Sequence, residues 1–131
     1  MKAYLSIVHA DGRVEELQLH GPLAPMMVAV IDHLSERARA TYDHISRIDR
    51  ERARGKHELA CPELLQLLAT AHTLLQQPPL PLRRTHRLAN GRPHPNAERV
   101  AAVLTWLSER RDAACVHYDL WGSASPLDGA V

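Results

Sequence analysis

The chain has 131 residues, a formal net charge of +1, and hydrophobic and charged shares of 45% and 24%. That length suits one domain with its own core, and the near-neutral balance excludes a nucleic-acid polycation, so any electrostatic steering must come from local clusters. No apolar run approaches the ~20 residues that span a bilayer, and Cys61 and Cys115 make no disulfide framework, so the expectation is a cytoplasmic protein with no membrane partner. The core must be aliphatic, because there is no Phe and only two Trp and three Tyr. Basic charge is almost all Arg, with Lys2 and Lys56 as the only lysines. Arg favours planar, bidentate contacts with carboxylate or phosphate.

Residues 1–20 alternate apolar and polar around Ala10-Asp11-Gly12, which predicts a β-hairpin. A two-residue Asp-Gly turn would mix the faces. A three-residue loop with Gly12 in the left-handed region sets Leu5 opposite Leu17 and Ala3 opposite Leu19. Ala3, Leu5, Ile7, Leu17 and Leu19 then share one face. A slip of one residue would expose that whole set, so the register is firm.

Gly21-Pro22 ends the strand, and Pro22 or Pro25 suits the first turn of a helix. Apolar residues at Met27, Ile31, Leu34, Ala38, Tyr42, Ile45 and Ile48 recur every three or four positions, the mark of one amphipathic helix. It is expected to run toward a left-handed stop at Gly55 and to form the spine of the domain. A second helix is expected from Cys61-Pro62-Glu63, with Leu64, Leu65, Leu67, Leu68, Ala71, Leu74 and Leu75 on a broad buried face, ending at Pro78-Pro79. A third begins with Asn96 as N-cap and carries a stripe of Val100, Val103, Leu104 and Leu107. Residues 114–121 alternate again, with Ala114, Val116, Tyr118 and Leu120 on one side and Cys115, His117, Asp119 and Trp121 on the other. An isolated hairpin is marginal in water, so this last strand is expected to pair with the first two.

The fold class that follows is a two-layer α+β domain over residues 1–121. Its hairpin and C-terminal strand form a three-stranded sheet packed by three helices, in the order ββαααβ. Residues 122–131 are small and polar, which suggests a mobile tail.

Residues 78–95 carry five of the nine prolines and four arginines, Arg83, Arg84, Arg87 and Arg92, with no acid. Prolines at both ends forbid helix there, and so long an irregular connection is uncommon unless it works. Five arginines against Glu98 give residues 78–99 a charge of +4 and leave the remainder at −3. The segment therefore points to an anionic surface. It has no aromatic residue for stacking on single strands, and helix two is too apolar to read a groove. Trp121 offers a second anchor on the polar side of the last strand.

Two chemical constellations compete with docking. His57, Cys61, Cys115 and His117 are the right residue types for tetrahedral zinc, but the usual paired-cysteine spacing is absent, so no metal or cofactor is assigned. Cys115, His117 and Asp119 evoke a nucleophile, base and orienting acid. Alternate strand residues lie ~7 Å apart, beyond the ~2.6–3.2 Å a nucleophile and base require. No phosphate loop, nucleophile elbow or His-Glu-x-x-His helix is present, so an enzyme is not expected. The functional expectation is a small bacterial binding module of the inhibitor, immunity or accessory kind. It would dock on a protein partner with an acidic surface through Arg83, Arg84, Arg87, Arg92 and Trp121. Nucleic-acid binding by the same basic loop is the alternative.

Overall fold

The computed structural model describes residues 2–76, 95–113 and 115–121. Its elements in order are β1 (Lys2–Val8), β2 (Val14–Gln18), a 3-10 helix (Ala24–His33), α1 (Glu36–Glu51), β3 (Gly55–Leu59), α2 (Cys61–Gln76), α3 (Asn96–Ser108) and β4 (Cys115–Trp121). The α+β class is the one the sequence predicts. The sheet is not three-stranded, however: it has four strands in the order β2-β1-β4-β3, every pair antiparallel. The order ββαααβ is corrected accordingly by a strand between α1 and α2 and by a separate helix before α1.

The hairpin register is the expected one. Leu5 pairs with Leu17, and the Leu19 N–H donates to the Ala3 carbonyl at 2.9 Å. Gly12 closes the turn at φ 88°, with its N–H on the His9 carbonyl at 2.9 Å. A Cβ would be strained at that dihedral, which is why the loop needs glycine there.

The predicted long helix breaks in two. Leu34 is extended, and Ser35 caps α1 by accepting the Ala38 N–H on Oγ at 3.2 Å. Before the break, the 3-10 period of three aligns Ala24, Met27 and Val30 in one buried row and Met26 and Ala29 in another. Pro25 and Val28 face outward. A 3-10 run of this length has poor intrinsic hydrogen-bond geometry, so burial of those rows holds it. After the break, α1 buries Ala38, Tyr42, Ile45 and Ile48. It stops at Arg52 in the left-handed region (φ 50°), not at Gly55. Gly55 instead opens β3.

That fourth strand, Gly-Lys-His-Glu-Leu, buries only Leu59. Its pairing partner is β4 alone, and the free backbone edge of β4 specifies it more than any apolar alternation does. In α2, Leu64, Leu67, Leu68, Ala71 and Leu75 are buried, and in α3 Ala97, Val100, Val103 and Leu107. Pro95, not Asn96, precedes α3 as its cap residue, without a side-chain cap bond. Asn96 lies in the first turn and accepts from Arg99 at 3.2 Å. These helices, the 3-10 segment and the inward side chains Ala3, Leu5, Ile7, Val116, Tyr118 and Leu120 form one apolar cluster. Among the described residues, no helix is long and apolar enough to cross a membrane. The tail 122–131 and residues 78–94 of the expected loop at 78–95 lie outside the described residues.

Candidate functional site

Among the described residues, the side chains on one side of the sheet join the helices in the apolar cluster, and those on the other side contribute none to it. Strand register arranges its side chains in rows. Glu16, Ser6, His117 and Glu58 form one row, and Gln18, Tyr4, Asp119 and Lys56 the next. Lys2 opposite Trp121 ends the face. The two lysines of the chain therefore both lie on this face, one directly across from Trp121 and the other across from Asp119. Trp121 is 56% exposed and shares with Val14 the distinction of an exposed large apolar side chain among the described residues.

Asp119 is the anomaly of this face. It is 1% exposed, and neither carboxylate oxygen has a hydrogen-bond partner among the described residues. Burial and the Glu16 charge push its carboxyl above the usual range, and the Lys56 ammonium and the nearby Trp121 indole oppose that rise. Buried polar groups are normally satisfied, and an exception calls for a physical reason. Its neighbour Ser6 is also fully buried and donates to Glu16 at 3.3 Å.

Cys115 and His117 come closer than backbone spacing implies: their side chains lean together, with Sγ 3.4 Å from the His117 Nε2. The thiol also lies 3.7 Å from a Glu58 carboxylate oxygen. Burial and the Glu58 charge both raise the Cys115 thiol, which keeps it protonated and so disfavours the thiolate a nucleophile needs. The four residues considered for zinc do not converge. His57 projects to the core side of β3 and bonds the Ala53 carbonyl at 2.6 Å, whereas Cys115 and His117 lie on the opposite side of the sheet. Among the described residues, no group of three or more His, Cys, Asp and Glu is placed to hold a metal ion.

A second concave surface was not legible in the sequence. It is a cleft of about 690 Å³ between the 3-10 helix and the C-terminal half of α1. Pro22, Ala24, Pro25 and Val28 form one wall. Tyr42, Ser46, Asp49 and Arg50, on one face of α1, form the other, and Arg52 and Arg54 arrive from the turn after it. The base of this cleft is fixed by hydrogen bonds. The Tyr118 hydroxyl donates to Asp49 Oδ1 at 2.7 Å and accepts the Leu23 N–H at 2.6 Å. Asp49 Oδ2 accepts the Ala24 N–H at 3.0 Å. Burial pushes the Asp49 carboxyl up while these bonds pull it down. The same burial, reinforced by the Asp49 carboxylate, holds the Tyr118 phenol well above its usual range. The alternation Asp49-Arg50-Glu51-Arg52-Ala53-Arg54 was the only signal for this site, and it reads equally well as a solvated helix end.

At the far end of the sheet, Arg110 joins Glu15 at 3.0 Å and lies over the Trp106 ring at 4.5 Å, while His9 bonds the other Glu15 oxygen at 2.6 Å. The His9 bond and then the Arg110 bond lower the Glu15 carboxyl. This clamp ties β2 to the end of α3 and accounts for Trp106 structurally. Of the residues predicted for docking, Trp121 lies on the face of the sheet opposite the apolar cluster, and Arg83, Arg84, Arg87 and Arg92 lie outside the described residues. Comparisons with protein-family models, with curated proteins and with solved structures find no match to the chain.

Proposed function

We propose that this chain is a small bacterial, cytoplasmic binding module that docks on a protein partner through the face of its sheet that carries Trp121. Trp121 is the apolar anchor, and Lys2, Lys56 and the segment carrying Arg83, Arg84, Arg87 and Arg92 meet acidic groups of the partner. The carrying observation is the position of Trp121, 56% exposed at the end of β4 and flanked in register by Lys2. Tryptophan and arginine dominate interface hot spots because they combine large buried area with directional contacts. Surrounding charge contributes mainly to steering and partner choice. The unpaired Cys61 and Cys115 suit a reducing compartment. An inhibitor, immunity or accessory role fits a module of this size.

The test is native co-purification with identification by mass spectrometry, followed by measurement of Kd with the recombinant partner. Trp121→Ala is expected to weaken binding by about thirty-fold, the equivalent of ~2 kcal/mol for a hot spot. Arg83→Glu combined with Arg87→Glu is expected to abolish it, and both variants keep the thermal stability of the parent. Unchanged affinity in the Trp121 and arginine variants moves the interface elsewhere. A second reading, nucleic-acid binding, is favoured by the same indole beside Lys2. Binding to RNA or DNA that falls steeply with salt, together with no protein partner, would replace the first reading.

A further inference from the structure

We propose that the cleft between the 3-10 helix and the end of α1 binds a small organic polyanion with a diphosphate-type group, held by Arg50, Arg52 and Arg54. This site is separate from the docking face and does not depend on that reading.

Three observations carry it. First, Arg50, Arg52 and Arg54 all line one concavity, and none of their guanidinium groups has an ion pair or hydrogen bond with a described residue. Surface arginines commonly sit beside carboxylates, as Arg37 does with Glu63 and Arg39 with Asp43. Here the one carboxylate in the cleft, Asp49, already accepts from the Tyr118 hydroxyl and the Ala24 N–H. The basic charge of the cleft is therefore left for something from outside.

Second, the shared lining depends on a penalised backbone conformation. On a continuing helix of ~3.6 residues per turn, alternate residues point to nearly opposite sides, so Arg50 and Arg52 could not share a cleft. Arg52 instead adopts φ 50°, the only positive φ at a non-glycine residue among those described. After that turn Arg52 and Arg54 line the same cleft as Arg50. Left-handed geometry is disfavoured for a residue with a Cβ. Here it closes the end of α1, with the Ala53 N–H on the Ile48 carbonyl and the Arg52 N–H on the Asp49 carbonyl, and it also turns the chain after the helix.

Third, capping does not explain the arginines. Cations near a helix C-terminus often serve its exposed carbonyls. In α1 the Asp49 carbonyl accepts the Arg52 N–H at 3.2 Å and the Ile48 carbonyl accepts the Ala53 N–H at 3.1 Å. The backbone closes its own end, and no guanidinium takes part.

The ligand class follows from charge and space. Three guanidinium groups match a group with two or more negative charges, and Arg makes bidentate bonds to phosphate oxygens. At about 690 Å³ the cleft is much larger than one phosphate and lies within the ~300–1,000 Å³ range of small-molecule sites. Pro22, Pro25 and Val28 offer an apolar wall for the organic part, and Ser46 adds a hydroxyl.

The experiment is isothermal titration of the full chain with inorganic pyrophosphate at constant ionic strength near 0.15 M, about physiological, with inorganic phosphate and sulfate as comparators. Saturable one-to-one binding of pyrophosphate, at least tenfold tighter than phosphate, is expected. Arg50→Gln with Arg54→Gln should weaken it at least tenfold while leaving the ligand-free melting temperature unchanged. Arg52→Gly should raise the ligand-free melting temperature yet also weaken binding. Trp121→Ala should bind pyrophosphate as the parent does. The proposal is overturned if pyrophosphate does not saturate below millimolar concentrations. Equal binding by the arginine variants, or binding lost only in Arg83→Glu with Arg87→Glu, overturns it as well.

Discussion

Removing a single oxygen, by Tyr118→Phe, tests whether the network under the cleft holds the two halves of the domain together. The Tyr118 ring is fully buried between the sheet and the helices, and phenylalanine fills the same space, so packing is nearly conserved. Two hydrogen bonds are lost: the 2.7 Å donation to the Asp49 carboxylate and the 2.6 Å acceptance of the Leu23 N–H. A bond to a charged group is worth ~1.5–3 kcal/mol, and an orphaned buried donor costs ~1–3 kcal/mol. The two overlap, because Asp49 keeps its bond to the Ala24 N–H and can relax toward water. A net loss of about 2–4 kcal/mol follows, or a fall in melting temperature of roughly 8–15 °C for a domain of this size. Urea denaturation followed by far-UV circular dichroism measures it, with the m-value unchanged if the native fold is kept. A double-mutant cycle with Asp49→Ala isolates the pair and is expected to give a coupling of at least ~1 kcal/mol. A loss below ~0.5 kcal/mol, or strict additivity in the cycle, would refute the claim that this hydroxyl pins the 3-10 helix to α1 and β4.

Two other perturbations follow from the same packing. Asp119→Asn replaces a buried, unpartnered carboxylate with a neutral amide and is expected to raise stability at pH 7. Because the folded-state carboxyl titrates above its ordinary value near 3.8, that advantage shrinks as pH falls through the folded pKa and is gone below 3.8. Thermal melts from pH 3 to pH 8 check it, and a pH-independent difference would contradict the assignment. Ile45→Ala, at a fully buried position in α1, is expected to lose ~2–5 kcal/mol. Leu34→Ala, at the partly buried break before Ser35, should lose less; an equal or larger loss at Leu34 would restore the picture of one continuous spine.

Where apolar spacing carries the architecture, the sequence is easily read. The pairs Leu5–Leu17 and Ala3–Leu19 fix the hairpin register, and the alternation of Val116, Tyr118 and Leu120 places β4. Other elements are specified by hydrogen bonding, which leaves no periodic trace. β3 buries only Leu59 and exists because β4 offers it a ladder. The break at Leu34 depends on one Ser35 hydroxyl finding the Ala38 N–H, although Ser followed by Glu36 is a local helix-start pattern. The run of apolar residues on both sides hides that signal, because a 3-10 period of three and an α period of 3.6 drift apart slowly. The arginine cleft is hidden for a related reason: it needs Arg52 in the left-handed region, a conformation that composition points to only when glycine is present.

Two adjacent residues of β4 mark the difference between the finished and the unfinished side of the sheet. Tyr118 faces the core and has its hydroxyl fully used, so that Asp49, the carboxylate it meets, has both oxygens bonded. Asp119 faces the other way and, at the same depth of burial, has neither oxygen bonded among the described residues, with the neighbouring Trp121 indole and Lys56 moderating its charge. A marginally stable domain gains nothing from an unpaired buried carboxylate. The helices, moreover, bring no donor across the sheet to meet it. Lys56 stands opposite in register, but its ammonium makes no ion pair with Asp119 among the described residues. The tension is relieved if a partner supplies donors to this face, and the exposed indole of Trp121 lies two residues along the same strand. The docking reading therefore predicts that partner binding and Asp119→Asn interact: the variant that stabilises the free protein should lose part of that gain in the complex.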